Sequence, residues 1–97
     1  MALNRLGRVE KWKEEREPLS KEDQIVYWMA YRLAKERELY HKDVMRYIEE
    51  NFDDIDRFTK NENYGIKKRL ITSVENATGS PTYWKKAENY ADRKWTL

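Results

Sequence analysis

One stretch, residues 59–97, constrains the fold of this chain more than any other. Its first part has the apolar spacing of a helix and reaches Asn76. Gly79 and Pro81 then end that helix, because glycine suits a C-cap and proline cannot continue a helix. Two aromatic and basic runs follow at 82–86 and 93–97, and their residues favour β-strands. A helix followed by a β-hairpin, with its tip at 88–92, is therefore expected to close the chain.

Length and composition predict one folded domain. Ninety-seven residues leave no room for a second independent core. Charged residues make up 39% of the chain, but the formal net charge is only +2 and Gly and Pro are rare, so the composition does not favour disorder. Four Trp, seven Tyr and two Phe can build a core where aliphatic residues are scarce, since each aromatic ring buries a large area.

Several classes of active site lack the residues that they need. Without cysteine there is no disulfide, thiolate metal site or cysteine nucleophile. His41 is the single histidine, and we expect it to be a surface or capping residue. The acidic run Glu49–Asp56 lacks the spacing of a calcium loop, so we interpret it as a solvated loop. With no glycine-rich phosphate loop and no nucleophile–histidine pair, the sequence predicts no enzyme, no metal site and no cofactor.

The N-terminal residues contain no apolar run of signal-peptide length, and no stretch of the sequence is apolar enough to span a membrane. We therefore expect no membrane association and an intracellular location, cytoplasmic or, in a eukaryote, nuclear.

Residues 1–19 are expected to form an N-terminal arm or short helix ahead of a domain at 20–97. Apolar residues recur at three-residue spacing in this arm, which gives it one apolar edge: Leu3, Leu6, Val9 and Trp12. Two interpretations stay open. The edge packs on the rest of the chain, or it forms a face for a homodimer or a protein partner.

Three helices are predicted in the domain. The first covers about 21–37, is capped by Ser20 and buries Ile25, Val26, Met29, Ala30 and Leu33. Leu39 and Tyr40 then form a short apolar connector. The second helix opens at His41 and buries Val44, Met45, Ile48 and Phe52. The third begins at a capping box made by Thr59 and Glu62, with Asn61 or Asn63 as alternative caps, and runs to about Asn76.

The third helix and the hairpin each divide into a core side and a contact side. At 100° per residue, Ile66, Leu70, Val74 and Ala77 fall on the core side of the helix. The outward strip contains Lys68, Arg69, Thr72 and Asn76, beside Gly65. In the hairpin, Trp84, Trp95 and Leu97 are expected to pack over the helices, while Lys94 and Thr96 face outward.

The order of three helices and a β-ribbon resembles the winged helix-turn-helix superfamily. The closing Lys94-Trp95-Thr96-Leu97 resembles the end of the wing in forkhead domains. The segment from Ile66 to Leu97 also resembles the C-terminal half of HARE-type domains and linker-histone globular domains. The resemblance implies an α+β fold with three helices and a C-terminal hairpin wing, preceded here by the N-terminal helical arm.

One departure from the forkhead pattern limits what the resemblance implies. Forkhead domains read bases with Asn-Ser-Ile-Arg-His-Asn, whereas this chain has Tyr64-Gly65-Ile66-Lys67-Lys68-Arg69 in the comparable register. Base specificity is therefore not carried over.

The resemblance and the charge distribution together predict a double-stranded DNA-binding module, as a transcriptional regulator or a DNA-targeting domain. From Lys60 onward there are eight Lys or Arg and four Asp or Glu, and such a basic half favours a polyanion. The third helix would enter the major groove and the wing would hold the phosphate backbone. The candidate contact residues are Lys67, Lys68, Arg69, Thr72, Asn76, Lys85, Lys86, Arg93 and Lys94.

Two other functions compete with DNA binding. A winged helix can serve as a protein-interaction module, such as an assembly subunit or a small viral regulator, and here it would use the apolar edge of the arm. Alternatively, the domain belongs to a longer enzyme and delivers catalysis to DNA without performing it.

Overall fold

The computed structural model describes residues 4–59 and 65–97, which form an α+β fold, as the sequence predicts. Two one-turn 3-10 helices, Ile55–Arg57 and Tyr90–Asp92, lie between the main elements. The helices are α1 (Arg5–Glu14), α2 (Lys21–Glu36), α3 (His41–Asn51) and α4 (Lys68–Thr78), and the strands are β1 (Glu38–Tyr40), β2 (Tyr83–Lys85) and β3 (Lys94–Thr96).

The three strands form one antiparallel sheet in the order β1-β3-β2. Trp95 of the central strand lies opposite Leu39 on one side and Trp84 on the other. The prediction that Leu39 and Tyr40 are a connector was wrong, because these residues pair with β3. Arg37 ends α2 in the left-handed conformation, with φ at 66°, and so turns the chain into this strand.

α2 lies at the centre of the packing and contacts both α4 and α1. The predicted core faces of α2 and α4 are confirmed, since Met29, Leu33, Leu70 and Val74 are all at most 2% exposed. The predicted cap is also confirmed: Ser20 Oγ accepts the Asp23 N–H at 3.1 Å. This satisfies one of the unpaired amides at the start of the helix.

The arm packs on the rest of the chain. α1 contacts α2 and α4, and its Val9 is fully buried while Trp12 is only 7% exposed. These two side chains are therefore not available as the dimer face that the sequence left open. Leu6 is half-buried, and Leu3 lies outside the described residues.

The predicted start of the third helix is wrong, because α4 begins at Lys68 rather than just after Thr59. Thr59 is buried, forms an isolated antiparallel bridge with Ile66, and donates its hydroxyl to the Ile55 carbonyl at 3.2 Å. Glu62, the proposed capping partner, lies outside the described residues. Ile66 is buried as expected, but it belongs to the segment before the helix.

α4 ends at Thr78, two residues later than predicted. Gly79 follows it with φ at 70°, a conformation that glycine adopts without steric cost. A β-carbon at this position would lie 2.8 Å from Arg8 Nη1, but that atom ends a flexible side chain that can move away, so the backbone conformation is the reason for glycine.

The acidic run is only partly a loop. Glu49 and Glu50 belong to α3 and are exposed, and Asp56 lies in the first 3-10 helix. Asp54 forms ion pairs with Lys21 and Arg57 at 3.6 and 3.7 Å. These exposed pairs offset part of the negative charge of the run.

A tyrosine joins α2 to α1 and makes stability depend on pH. The Tyr27 hydroxyl donates to Glu10 Oε1 at 2.7 Å. Burial, together with this hydrogen bond, raises the pKa of Tyr27 from 10.0 to about 12. The folded state therefore holds the phenol proton more tightly than the unfolded state. The resulting stabilisation is complete below pH 10.0 and is lost as pH rises towards about 12.

We expect the free energy of unfolding to fall more steeply with pH in the wild type than in Tyr27→Phe over that alkaline range. Urea unfolding of both proteins at a series of pH values measures the difference. The other tyrosines and the lysines titrate in both proteins, so their contribution cancels in the comparison. Parallel curves would contradict this role for the Tyr27 proton.

Candidate nucleic-acid interface

The outward strip of α4, defined as Lys68, Arg69, Thr72 and Asn76, is exposed along its whole length. The buried residues of α4 lie on the other side of the helix and pack against α2. The strip is thus held by the core and turned to solvent. This geometry suits contact with a partner.

Arg69 differs from the rest of the strip because its charge has a partner. Its guanidinium forms an ion pair and hydrogen bond with Glu22 in the first turn of α2. Glu22 also lies 3.9 Å from Arg57. Arg69 therefore ties α4 to α2. Lys68, by contrast, forms no ion pair with any residue that the structure describes.

Lys67 precedes α4 in an extended conformation and is half-buried. Its backbone N–H donates to the Phe58 carbonyl at 3.0 Å, which fixes the chain where the helix begins. Lys67 therefore lies beside the strip because its backbone is held by Phe58, and it is not part of the helix.

The four basic residues of the hairpin, Lys85, Lys86, Arg93 and Lys94, differ in the contacts that they make. Lys85 and Lys86 are exposed and form no ion pair within 4–59 and 65–97. Arg93 donates from Nε to the Ala87 carbonyl at 3.1 Å and lies over the ring of Tyr90. These contacts order the Arg93 side chain beside the hairpin tip.

The alternation of the strand predicted that Lys94 projects outward, but its side chain is instead held by a neighbouring strand. Its ammonium lies 2.8 Å from Glu38 Oε2 on the neighbouring strand β1 and 5.4 Å from the ring centre of Tyr40. The hydrogen bond that Lys94 donates to Glu38 raises the pKa of Lys94. Because β1 was not predicted, this partner could not be foreseen. Thr96 is likewise half-buried.

Basic residues in α1 and just after it, which the apolar spacing of the arm does not indicate, flank one end of the strip. A surface groove of about 520 Å³ lies between α1 and α4. Its lining includes Arg8, Lys11, Arg16 and Asn76. Arg8 and Lys11 are three residues apart, so they lie on one side of α1, and this spacing could have indicated a basic face on the helix.

His41 is buried, 3% exposed, and not on the surface as predicted. α3 starts directly after β1, which places this first helical residue against the sheet. The backbone N–H of His41 donates to the Arg93 carbonyl at 3.0 Å. The ring nitrogen Nδ1 lies 2.8 Å from the Tyr90 hydroxyl. The ring also contacts Trp84 and Trp95, with centroid distances of 5.8 and 5.5 Å.

An open cavity of about 360 Å³, which we name the aromatic pocket, lies beside this cluster. Trp84 and Trp95 are cross-strand partners with ring centres 4.7 Å apart, as their predicted contact requires. Trp95 is buried, but Trp84 is 41% and Tyr90 is 42% exposed. The pocket is lined by His41, Gly65, Ile66, Ile71, Trp84, Tyr90, Arg93 and Trp95.

Two further observations concern the described part of the chain. No helix there is both long and apolar enough to cross a membrane. Within the same residues, no three His, Cys, Asp or Glu side chains are grouped so that they could hold a metal ion.

Comparisons with curated proteins and with solved structures find no match for this chain. The model of one protein family matches residues 21–95, from the first residue of α2 to the middle of β3. The match leaves out α1 and covers the other helices and the sheet. The chain therefore belongs to DUF6953, a family of unknown function.

Proposed function

We propose that this chain is a double-stranded DNA-binding module with a winged helix-turn-helix fold. From α2 onward the elements run helix, strand, helix, helix, strand, strand, and the last strand lies in the middle of the sheet. This order supports the winged-helix assignment, in which α4 is the recognition helix and the β2–β3 hairpin is the wing.

The observation that carries the proposal is the position of three exposed lysines without ion-pair partners among the described residues. Lys68 lies at the start of α4, and Lys85 and Lys86 lie on the hairpin. Glu75 joins the two elements, since its Oε2 accepts the Thr82 N–H at 2.7 Å. A helix and a basic hairpin held side by side can contact a groove and the adjoining phosphates together.

We infer different roles for the candidate contact residues from the ion pairs that they make. Lys68, Lys85 and Lys86 contact phosphates, where each neutralised charge releases counterions. Thr72 and Asn76 have short polar side chains on the exposed strip and face the base edges. Arg69 and Lys94 hold α4 and β3 in place through Glu22 and Glu38.

Lys85→Ala/Lys86→Ala is expected to weaken binding to random duplex DNA and to flatten its salt dependence. Each phosphate contact contributes about 0.9 to the slope of log affinity against log salt concentration. Losing two contacts therefore lowers the slope by about 1.8. Fluorescence anisotropy of a labelled duplex across a salt titration measures both quantities.

Lys13→Ala/Lys35→Ala is a charge-matched control. These lysines lie over the rings of Tyr27 and Tyr31 of α2, and Lys13 also forms an ion pair with Glu17 at 3.5 Å. We expect this variant to lose less affinity and to keep more of the salt slope. If both double variants change binding equally, only overall charge matters. If neither variant, nor Lys68→Ala, changes low-salt binding, the DNA-binding proposal is wrong.

A further inference from the structure

We propose that the aromatic pocket binds a single unpaired nucleotide, with its base stacked on Trp84 and its phosphate held by Arg93. The ligand class is a 5′-nucleotide unit, either free or within a single strand. This site goes beyond the proposed contact with duplex DNA, and Arg93 is the one member of the pair Trp84 and Arg93 that is also a candidate duplex contact.

The stacking surface is built by the fold. Trp84 projects from β2 onto the same face of the sheet as its cross-strand partner Trp95, and their rings lie 4.7 Å apart. Trp95 is buried, 6% exposed, and contacts Trp84, which is 41% exposed, with the two ring planes inclined at 54°. A large exposed indole held by a buried one is a ready platform for a planar ring.

The rest of the lining defines a slot rather than a flat surface. Ile66, from the segment before α4, and Ile71, from the first turn of α4, contribute aliphatic lining. Tyr90 is held by the contact of its hydroxyl with His41 Nδ1 at 2.8 Å. The volume of about 360 Å³ falls at the lower end of the usual range for small-molecule pockets.

Arg93 supplies the anion-binding group. It lines the pocket, and its Nε–H donates to the Ala87 carbonyl, a hydrogen bond that does not use the terminal guanidinium nitrogens. No acidic residue of the described chain forms an ion pair with Arg93. Guanidinium groups bind phosphate through paired hydrogen bonds, which favours a phosphorylated ligand over a neutral base.

The ligand must be unpaired for a physical reason. In a duplex both faces of a base are covered by its neighbours, and taking it out of the stack costs free energy. A free nucleotide or a base in a single strand has a face open for stacking on an aromatic ring. The pocket therefore distinguishes unpaired nucleotides from paired ones.

Two ligands test whether the pocket binds a free nucleotide or a nucleotide within a single strand. Calorimetric titration with thymidine 5′-monophosphate tests the free nucleotide, and anisotropy with a labelled oligothymidylate tests the single strand. We expect Trp84→Ala to weaken binding about tenfold or more, the order of magnitude that stacking of one base contributes. Arg93→Gln should weaken it similarly, and Arg93→Lys should restore part of the loss by keeping the charge.

Tyr83→Ala is the matched control. Tyr83 is the neighbour of Trp84 on β2, is 54% exposed and does not line the pocket. It should leave the binding of both ligands unchanged, and circular dichroism checks that every variant is folded. Binding of the oligonucleotide alone, or of both ligands, supports the site if Trp84→Ala and Arg93→Gln reduce it. The proposal is overturned if neither ligand binds, or if these two variants bind like the wild type, whatever the result with duplex DNA.

Discussion

Replacing Phe58 with alanine is expected to lower the free energy of unfolding by about 3–5 kcal/mol, the usual cost of removing a buried phenyl ring. Phe58 is fully buried, and its ring centre lies 5.4 Å from that of Phe52. Small domains have only about 5–15 kcal/mol of stability in total. The variant should therefore be marginally folded, which urea unfolding followed by circular dichroism measures.

Tyr83→Ala serves as the control for aromatic truncation, because Tyr83 is 54% exposed. We expect its stability to change by no more than about 0.5 kcal/mol, as for most surface substitutions. Phe58→Leu should fall between the wild type and Phe58→Ala, since it leaves a smaller cavity. A loss below about 1 kcal/mol for Phe58→Ala would show that this ring does not pack as described.

Phe58 also shows what helical periodicity misses. The spacing of apolar residues predicted the buried faces of α2, α3 and α4, because a helix places every third or fourth residue on one side. Phe58 lies after a one-turn 3-10 helix and before the bridge between Thr59 and Ile66, where no period applies. Its burial is set by tertiary contacts, which a local pattern does not contain.

The first strand could not be predicted for a similar reason. β1 has three residues, too few for an alternating pattern, and becomes a strand only by pairing with β3 near the other end of the chain. The burial of His41 follows from this pairing. A lone histidine with no second ligand was expected at the surface, but the strand before it carries it into the aromatic cluster.

The candidate contact residues on α4 were predictable as exposed positions, but the ion-pair partners of the candidate contact residues were not predictable. The exposure of Lys68, Thr72 and Asn76 follows from the helical wheel. The partners of Arg69 and Lys94 are Glu22 and Glu38, which come from α2 and β1. Only the tertiary fold therefore separates basic residues that hold the scaffold from those that face solvent without an ion-pair partner among the described residues.

Trp12→Ala is expected to destabilise the chain by about 3–5 kcal/mol and to leave its mass in solution unchanged. Trp12 is 7% exposed in the contact of α1 with α2 and α4, and the Arg16 guanidinium lies 4.4 Å from its ring centre. For a domain of this size each kcal/mol corresponds to roughly 4–8 °C in Tm. Thermal unfolding should therefore show a fall of more than about 12 °C.

The same variant decides between the two interpretations of the N-terminal arm. If Trp12 belongs to the core of its own chain, Tm is independent of protein concentration, and sedimentation gives the same mass for the variant and the wild type. If the arm were a dimer face, the wild-type Tm would rise with concentration and the substitution would halve the mass. Lys11→Ala, an exposed change on the same helix, should alter neither quantity. A concentration-dependent Tm that Trp12→Ala abolishes would restore the protein-interaction alternative, because α1 would then be shared between two chains.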